Sequence, residues 1–276
     1  MSIADSKARI GSTNRETVQG LRRGFAVIKA FTSDAPALSI SQVAARTGLT
    51  RAVARRYLLT LQDLGCITQM GSSFTLTPRV LDLGFTYLST LGVANVAPPI
   101  METVVERLRE SCSIAVLDGH DIVYVARVPA KRIMSINLVV GSRLPAHATS
   151  MGKILLAHLP ATALEAYVAT ATLERLTKRT ICDKDILRRS LQDVRKAGWT
   201  INDQDCEDGI RTLAAPIFDR SNTAIAAINV SAHASRVSIK ELKRDHLPVV
   251  LEAAHHISAA LGATGELRGV AANHLR

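Results

Sequence analysis

The side chains best suited to chemistry fall in two clusters. The first, TRAVARRYLLTLQDLG, carries Arg51, Arg55 and Arg56; the second, GSRLPAHATSMGK at residues 141–153, gathers hydroxyl, imidazole and ammonium groups. A guanidinium is a planar fork of donors that fits a guanine edge or a phosphate two bonds at a time. Arg51 and Arg55 are four residues apart, so on a helix they share a face with Gln62, opposite Val53, Tyr57, Leu61 and Leu64. One packed face and one outward face follow, with Arg51 and Arg55 aimed at bases and Arg56 at backbone phosphate. Tyr57 goes to the core by its place on the apolar face.

In the second cluster, Thr149 and Ser150 precede the apolar run MGKILLA, where helix-start N–H groups and the helix dipole favour an anion such as a carboxylate. The same residues also read as an ordinary N-cap. A phosphate-binding loop fails here, because position 147 is His and position 154 is Ile. Ser150 and Lys153 do match the S-x-x-K element of serine acyl-transfer enzymes, but no K-T-G element accompanies them. Serine acyl transfer through Ser150 and Lys153 is therefore the enzymatic alternative to a non-catalytic protein. Asp203, Asp205, Glu207 and Asp208 read as a solvated polar loop, and His255-His256 as surface or packing residues, so no metal is expected.

To present the arginines the chain needs a supporting helix pair. Leu21, Phe25, Ile28 and Phe31 recur at helical steps over 18–31 and predict a first helix. Ser39-Ile-Ser-Gln42 has capping-box spacing and opens a short second helix with Val43 and Ala44; Gly48 ends it and Thr50 caps the next. Two helices across so short a turn form a helix-turn-helix, placing Ser41, Gln42 and Thr50 with the arginines at the DNA face. Residues 66–76 predict a hairpin turning at Gly71-Ser72, which makes Ser72 and Ser73 a wing tip against the DNA backbone. Val80, Leu83, Tyr87 and Leu91 predict a linker helix that can also pair protomers, with Pro98-Pro99 as the boundary beyond it.

Ile100, Val104, Val105 and Leu108 then mark a helix, after which the apolar period changes to two. Strands at 113–117 and 122–127 flank Asp118-Gly119, residues 133–140 add a β-rich segment, and strands at 211–218 and 224–231 flank 219–222. Helices at 150–157 and 183–197 lie between, and Ser238-x-x-Glu241 opens a last helix carrying Leu242, Val249, Ala253, Ile257 and Leu261. The fold class is α+β: a tail at 1–15, a winged helix-turn-helix at 16–77, a linker helix at 78–95, an effector-binding domain at 96–264 and a tail at 265–276. A sheet covered by helices offers a small-molecule site at one face.

Composition agrees with this plan. The net charge is +10, and residues 1–92 hold 11 Lys plus Arg against 5 Asp plus Glu, so the basic excess is densest where a polyanion would be read. Aromatic residues make up 4%, too few for a platform that stacks single-stranded bases. No stretch approaches about 18 apolar residues and residues 1–16 carry no apolar core, so a cytoplasmic protein with no membrane partner is expected. Four scattered cysteines with no C-x-x-C pair give neither a zinc site nor a disulfide framework.

Four segments, LSISQVAARTGLTRAVARRYLLTLQDLG, FTLTPRVLDLGFTYL, GSRLPAHATSMGKILLA and EDGIRTLAAPIFDRSNTAIAAINVSA, together resemble the IclR family of bacterial regulators over nearly the whole chain. VLDGHDIVYVARVPAKRIMSI and INVSAHASR resemble the branch that controls aromatic acid catabolism through the β-ketoadipate pathway. The resemblance implies a GAF-like effector domain with a central antiparallel sheet, dimers or dimers of dimers on a palindromic operator, and no cofactor. It implies that Ala146, His147, Ser150, Met151, Thr212, Leu213, Asn229 and Ser231 line the effector pocket. An aromatic or dicarboxylic acid is the expected effector; Arg132, in the strand segment before Met134, reads either as its carboxylate partner or as a surface arginine, and Met134 is expected at the same site.

Overall fold

The structure is a computed structural model that describes residues 18–90, 92–130 and 138–264, leaving out the side chains of Phe85, Leu88 and Ser89. The two expected tails, Leu91, Arg132, Met134 and most of the 133–140 segment lie outside the described residues; Leu138 to Val140 are not in a strand. The chain divides into two compact units between Tyr87 and Leu88.

In the first unit α1 (Gln19–Lys29), α2 (Ile40–Thr47) and α3 (Arg51–Asp63) precede the hairpin β2 (Ile67–Met70) and β3 (Ser73–Leu76). The Ser39 hydroxyl accepts from the Gln42 N–H while the Ser39 N–H donates to Gln42 Oε1 at 2.8 Å, so the capping box forms. Gly48 stands in the left-handed region at φ 68° and the Thr50 hydroxyl caps α3 at Val53, so helix, turn and helix fall where the sequence puts them. A three-residue strand, β1 (Ala37–Ser39), also joins the hairpin in the order β1-β3-β2, with Leu38 opposite Phe74. Only Leu38 of β1 is buried, so its alternation is too short to read from sequence.

The core of this unit is built on Val27, Leu38, Val43, Leu58, Ile67 and Phe74. Two expected apolar faces are rotated. On α3 the buried line is Ala54, Leu58 and Leu61, with Val53 and Tyr57 half-buried; Leu64 is exposed, because the helix stops and the backbone turns at Gly65, φ 73°. On α1 the core takes Val27, Ala30 and Phe31, leaving Leu21 and Phe25 exposed. After a turn at Pro78–Val80, α4 (Leu81–Thr90) supplies the helix expected there, with Leu81, Leu83 and Tyr87 exposed.

In the second unit α5 (Val93–Leu108) continues through Pro98 and Pro99, which therefore do not end the helix. Each proline forgoes one helical hydrogen bond. Val93, Ala97, Met101 and Val104, buried on one face against the sheet, offset that loss. The sheet holds β4 (Ser111–Asp118), β5 (Asp121–Val128), β6 (Arg143–Pro145), β7 (Thr200–Asp203), β8 (Ile210–Phe218) and β9 (Ala224–His233) in the order β6-β5-β4-β9-β8-β7, every pair antiparallel. Beneath it lie α6 (Ser150–Ala157), α7 (Ala161–Thr170) and α8 (Lys184–Ala197). The last helix opens at the expected Ser238 capping box as α9 (Ile239–Glu241), passes through a π turn at Leu242–His246, and continues as α10 (Leu247–Ala260) on the α5 face. Strands β6 and β7 and helix α7 carry no sequence signal strong enough to predict: the strands are short edges, and α7 buries only Tyr167 and Val168.

Strand alternation sends Ile114, Leu213, Ala215, Ile228 and Val230 to the α5/α10 face and Ala115, Tyr124, Ala214 and Ala227 to the α6/α8 face. This partition decides which polar side chains can meet.

Candidate DNA-reading helix and effector site

In the first unit Arg51, Arg55 and Arg56 are all exposed, and their guanidinium groups make no hydrogen bond or ion pair to another described residue. They stand on the N-terminal half of α3, the helix that a helix-turn-helix lays in the major groove. Arg46 behaves differently: its guanidinium donates to the Ala30 carbonyl at 2.8 Å and ties α2 to the end of α1. Ser41 and Thr50 are exposed, whereas the amide oxygen of Gln42 is taken by the cap. At the wing Ser72 is exposed at the turn and Ser73 is a half-buried strand residue paired with Met70. Sequence reasoning missed Gln69, whose side-chain amide donates to the Gly71 carbonyl at 2.9 Å and holds the wing tip.

In the second unit the segment read as a loop feeding a helix is more ordered than that. β6 pairs with β5, a short turn covers Ala146–Ala148, and the Thr149 hydroxyl caps α6 at the Gly152 N–H, 3.1 Å away. The N-cap reading therefore accounts for Thr149. Ser150 instead accepts a hydrogen bond from the Thr212 hydroxyl at 2.7 Å, which joins α6 to β8. Lys153 is buried and donates to Asn202 Oδ1 at 2.8 Å and to the Asp205 carboxylate, while Asn202 donates to the Ala148 carbonyl at 2.8 Å. Lys153 Nζ is engaged by Asn202 and Asp205 and Ser150 Oγ by Thr212, so the two do not form the hydrogen-bonded nucleophile and base that the Ser150/Lys153 acyl-transfer reading needs.

The same network overturns part of the acidic-loop expectation. Asp205 is buried against Lys153, and Asp203 is ion-paired with Arg211 and Arg179. Burial raises the Asp203 carboxyl, but hydrogen bonds from Arg211 and Gln204 outweigh it and hold the pKa below the usual value. Only Glu207 and Asp208 are solvated, as expected. No cluster of metal-ligating side chains occurs among the described residues.

Of the residues expected to line the pocket, Ser150, Met151, Thr212, Asn229 and Ser231 share the α6 side of the sheet; Thr212 and Ser231 are register partners, and Met151 packs in the cluster that contains Ala115 and Ala214. Leu213 does not join them. Being adjacent to Thr212 on one strand, it points to the opposite face and packs with Ile228 and Val230. Ala146 lies under Gly152, and the buried His147 bonds the Glu174 carbonyl through Nε2 at 3.0 Å, with burial holding its pKa below the usual value.

Sequence reasoning missed Ser113, Tyr124 and Arg127. A bulge beside Ile114/Ala115 inserts one residue into β5, so Tyr124 and Arg127, three apart, come to the same face. Arg127 donates to Ser113 Oγ at 3.1 Å, and Ser113 stands opposite Asn229 in the sheet. A surface groove of about 720 Å³ lies elsewhere, between Glu102, Val105 and Glu106 of α5, Arg109 just past its end, and residues 128–130. None of the polar row lines it.

A winged helix-turn-helix with an unencumbered basic reading helix, followed by a sheet-based domain with a buried polar row, defines a ligand-responsive DNA-binding regulator. Comparison with known proteins agrees. The IclR helix-turn-helix domain matches residues 20–71, and the C-terminal domain of the bacterial transcriptional regulator IclR matches residues 85–259. The chain belongs to the IclR family of bacterial transcriptional regulators, and is a regulator of transcription and not an enzyme. It is 43% identical to the Pca regulon regulatory protein of Pseudomonas putida over 86% of this chain and 82% of that one. It is 35% identical to the p-hydroxybenzoate hydroxylase transcriptional activator of Acinetobacter baylyi, covering 87% and 90%. Among solved structures, an IclR homolog from Microbacterium hydrocarbonoxydans complexed with 4-hydroxybenzoate superimposes with a TM-score of 0.79 at 27% identity, covering 88% and 98%.

Proposed function

We propose that the chain regulates genes of aromatic acid breakdown, binding an operator through Arg51 and Arg55 on bases and Arg56 and Ser72 on backbone, under control of an aromatic acid. The observation that carries the DNA half is the exposure of all three guanidinium groups on α3 with no described partner. The polar row under α6 supports an acidic effector, as do relatives named for the Pca regulon and for p-hydroxybenzoate hydroxylase and a structural neighbour holding 4-hydroxybenzoate. The protein works in the cytoplasm as a homodimer or dimer of dimers, and the exposed Leu21, Phe25, Leu83 and Tyr87 are the apolar surface that pairing would cover. Effector binding changes the spacing of the two reading helices and thereby operator affinity.

Arg55→Ala is expected to weaken specific binding by about 1–3 kcal/mol, the worth of a bidentate base contact, in a gel-shift titration at fixed salt. Unchanged affinity removes Arg55 from base reading. In a thermal-shift panel of benzoate-type and short dicarboxylic acids, the true effector at about 100 times its Kd stabilises the fold by roughly 2.7 kcal/mol. A rise with the dicarboxylic acids alone would overturn the aromatic reading.

A further inference from the structure

We propose that Met70, at the tip of the wing, is an apolar wedge that enters the minor groove beside the operator half-site and opens a deformable base step there. This inference rests on the DNA-binding reading above and adds to it a contact through which the wing reads DNA shape.

The hairpin register sorts the side chains of the wing. Gln69 stands opposite Phe74, and Phe74 opposite Leu38, on the face that also buries Ile67. Met70 pairs with Ser73, and Ser73 with Ser39, so Met70 falls on the other face together with Ala37, Thr68 and Thr75. Sliding β2 by one residue would turn Ile67 out to water, so the register is fixed. It sends outward a methionine that is 69% exposed, at a position where a merely solvated turn carries a polar residue.

Local bonds set the place of this side chain. Gly71 takes the left-handed conformation at φ 61°, and the Gln69 amide donates to the Gly71 carbonyl at 2.9 Å. Because Ser73 aligns with Ser39, the N-cap of α2, the tip lies beside the start of that helix, where Ser41 is exposed. Wing tip and helix-turn-helix therefore meet at one edge of the unit.

The surroundings select the partner. A protein-binding patch is contiguous and apolar, whereas Met70 stands among the hydroxyls of Thr68, Ser72 and Ser73, groups that donate to phosphate oxygens. One apolar side chain ringed by hydroxyls fits a groove walled by two rows of phosphates. Methionine is unbranched and adaptable, and it is among the side chains that insert between base steps and kink a duplex. Pyrimidine–purine steps open most easily, so the contact favours one at that position.

The test uses the full chain and a duplex that the unaltered protein selects from a random pool. Met70→Ser is expected to weaken binding about tenfold, the worth of burying one methionine side chain. The dependence of affinity on salt should stay the same, because no phosphate contact is lost. In a circular-permutation gel the DNA bend should shrink with serine, whereas Met70→Leu should keep both affinity and bend. Exchanging the flanking pyrimidine–purine step for a stiff A-tract should weaken the unaltered protein and leave the serine variant unaffected. A bend that serine leaves unchanged would overturn the wedge, whatever the affinity; a lower dimer content in sedimentation would then make the tip a contact between protomers. Loss of affinity in Arg55→Ala on the same duplex would keep the DNA-binding reading intact in that case. Failure of the unaltered chain to enrich any duplex overturns both.

Discussion

Replacing Lys153 by Met tests the tie that positions the loop before α6. Lys153 and Asp205 keep only 5% and 12% of their side-chain surface exposed, and the ammonium also donates to Asn202, which in turn holds the Ala148 carbonyl. Removing one member of a buried pair leaves the other charge uncompensated, a loss of about 3–5 kcal/mol; replacing both by neutral groups of similar size is far milder. Lys153→Met is therefore expected to lower the urea unfolding free energy by about 3–5 kcal/mol. Lys153→Met combined with Asp205→Asn should recover most of that loss, giving a coupling energy well above the 0.5 kcal/mol of independent sites. Because Ala148 is two residues from Ser150, the single variant should also weaken effector binding. A single variant within about 1 kcal/mol of the parent, or a double variant no better than the sum of the singles, would refute the reasoning.

Gly152→Ala should destabilise the second unit by at least about 1–3 kcal/mol in the same assay, because a Cβ there overlaps the backbone of Ala146; a gain of up to about 1 kcal/mol, as at an ordinary helix site, would refute it. Acidification should destabilise the protein through His147 and His158, whose pKa values burial holds below the ordinary 6.5. The unfolded chain then binds more protons, so stability is complete above about pH 6.5 and falls as the pH drops from there toward the folded values. The urea midpoint should be lower at pH 5.5 than at pH 7.5, and His158→Gln should shrink the difference; an equal or higher midpoint at pH 5.5 contradicts it.

The reading helix was legible because its signals are local. Ser39 with Gln42, Gly48 and Thr50 are backbone-capping chemistry that acts within four residues, and they fixed α2, the turn and the start of α3. Period-two runs likewise revealed β4, β5, β8 and β9, and the capping box at Ser238 the last helix. What sequence could not supply is which neighbours a face meets. The bulge that turns Arg127 beside Ser113 depends on pairing with β4, the burial of Asp205 on a lysine some fifty residues earlier, and the opposite facing of Thr212 and Leu213 on where the sheet's two cores lie. Capping and periodicity are properties of a segment, whereas burial, register and charge pairing belong to elements brought together by the fold, and those decided which residues meet at the candidate effector site.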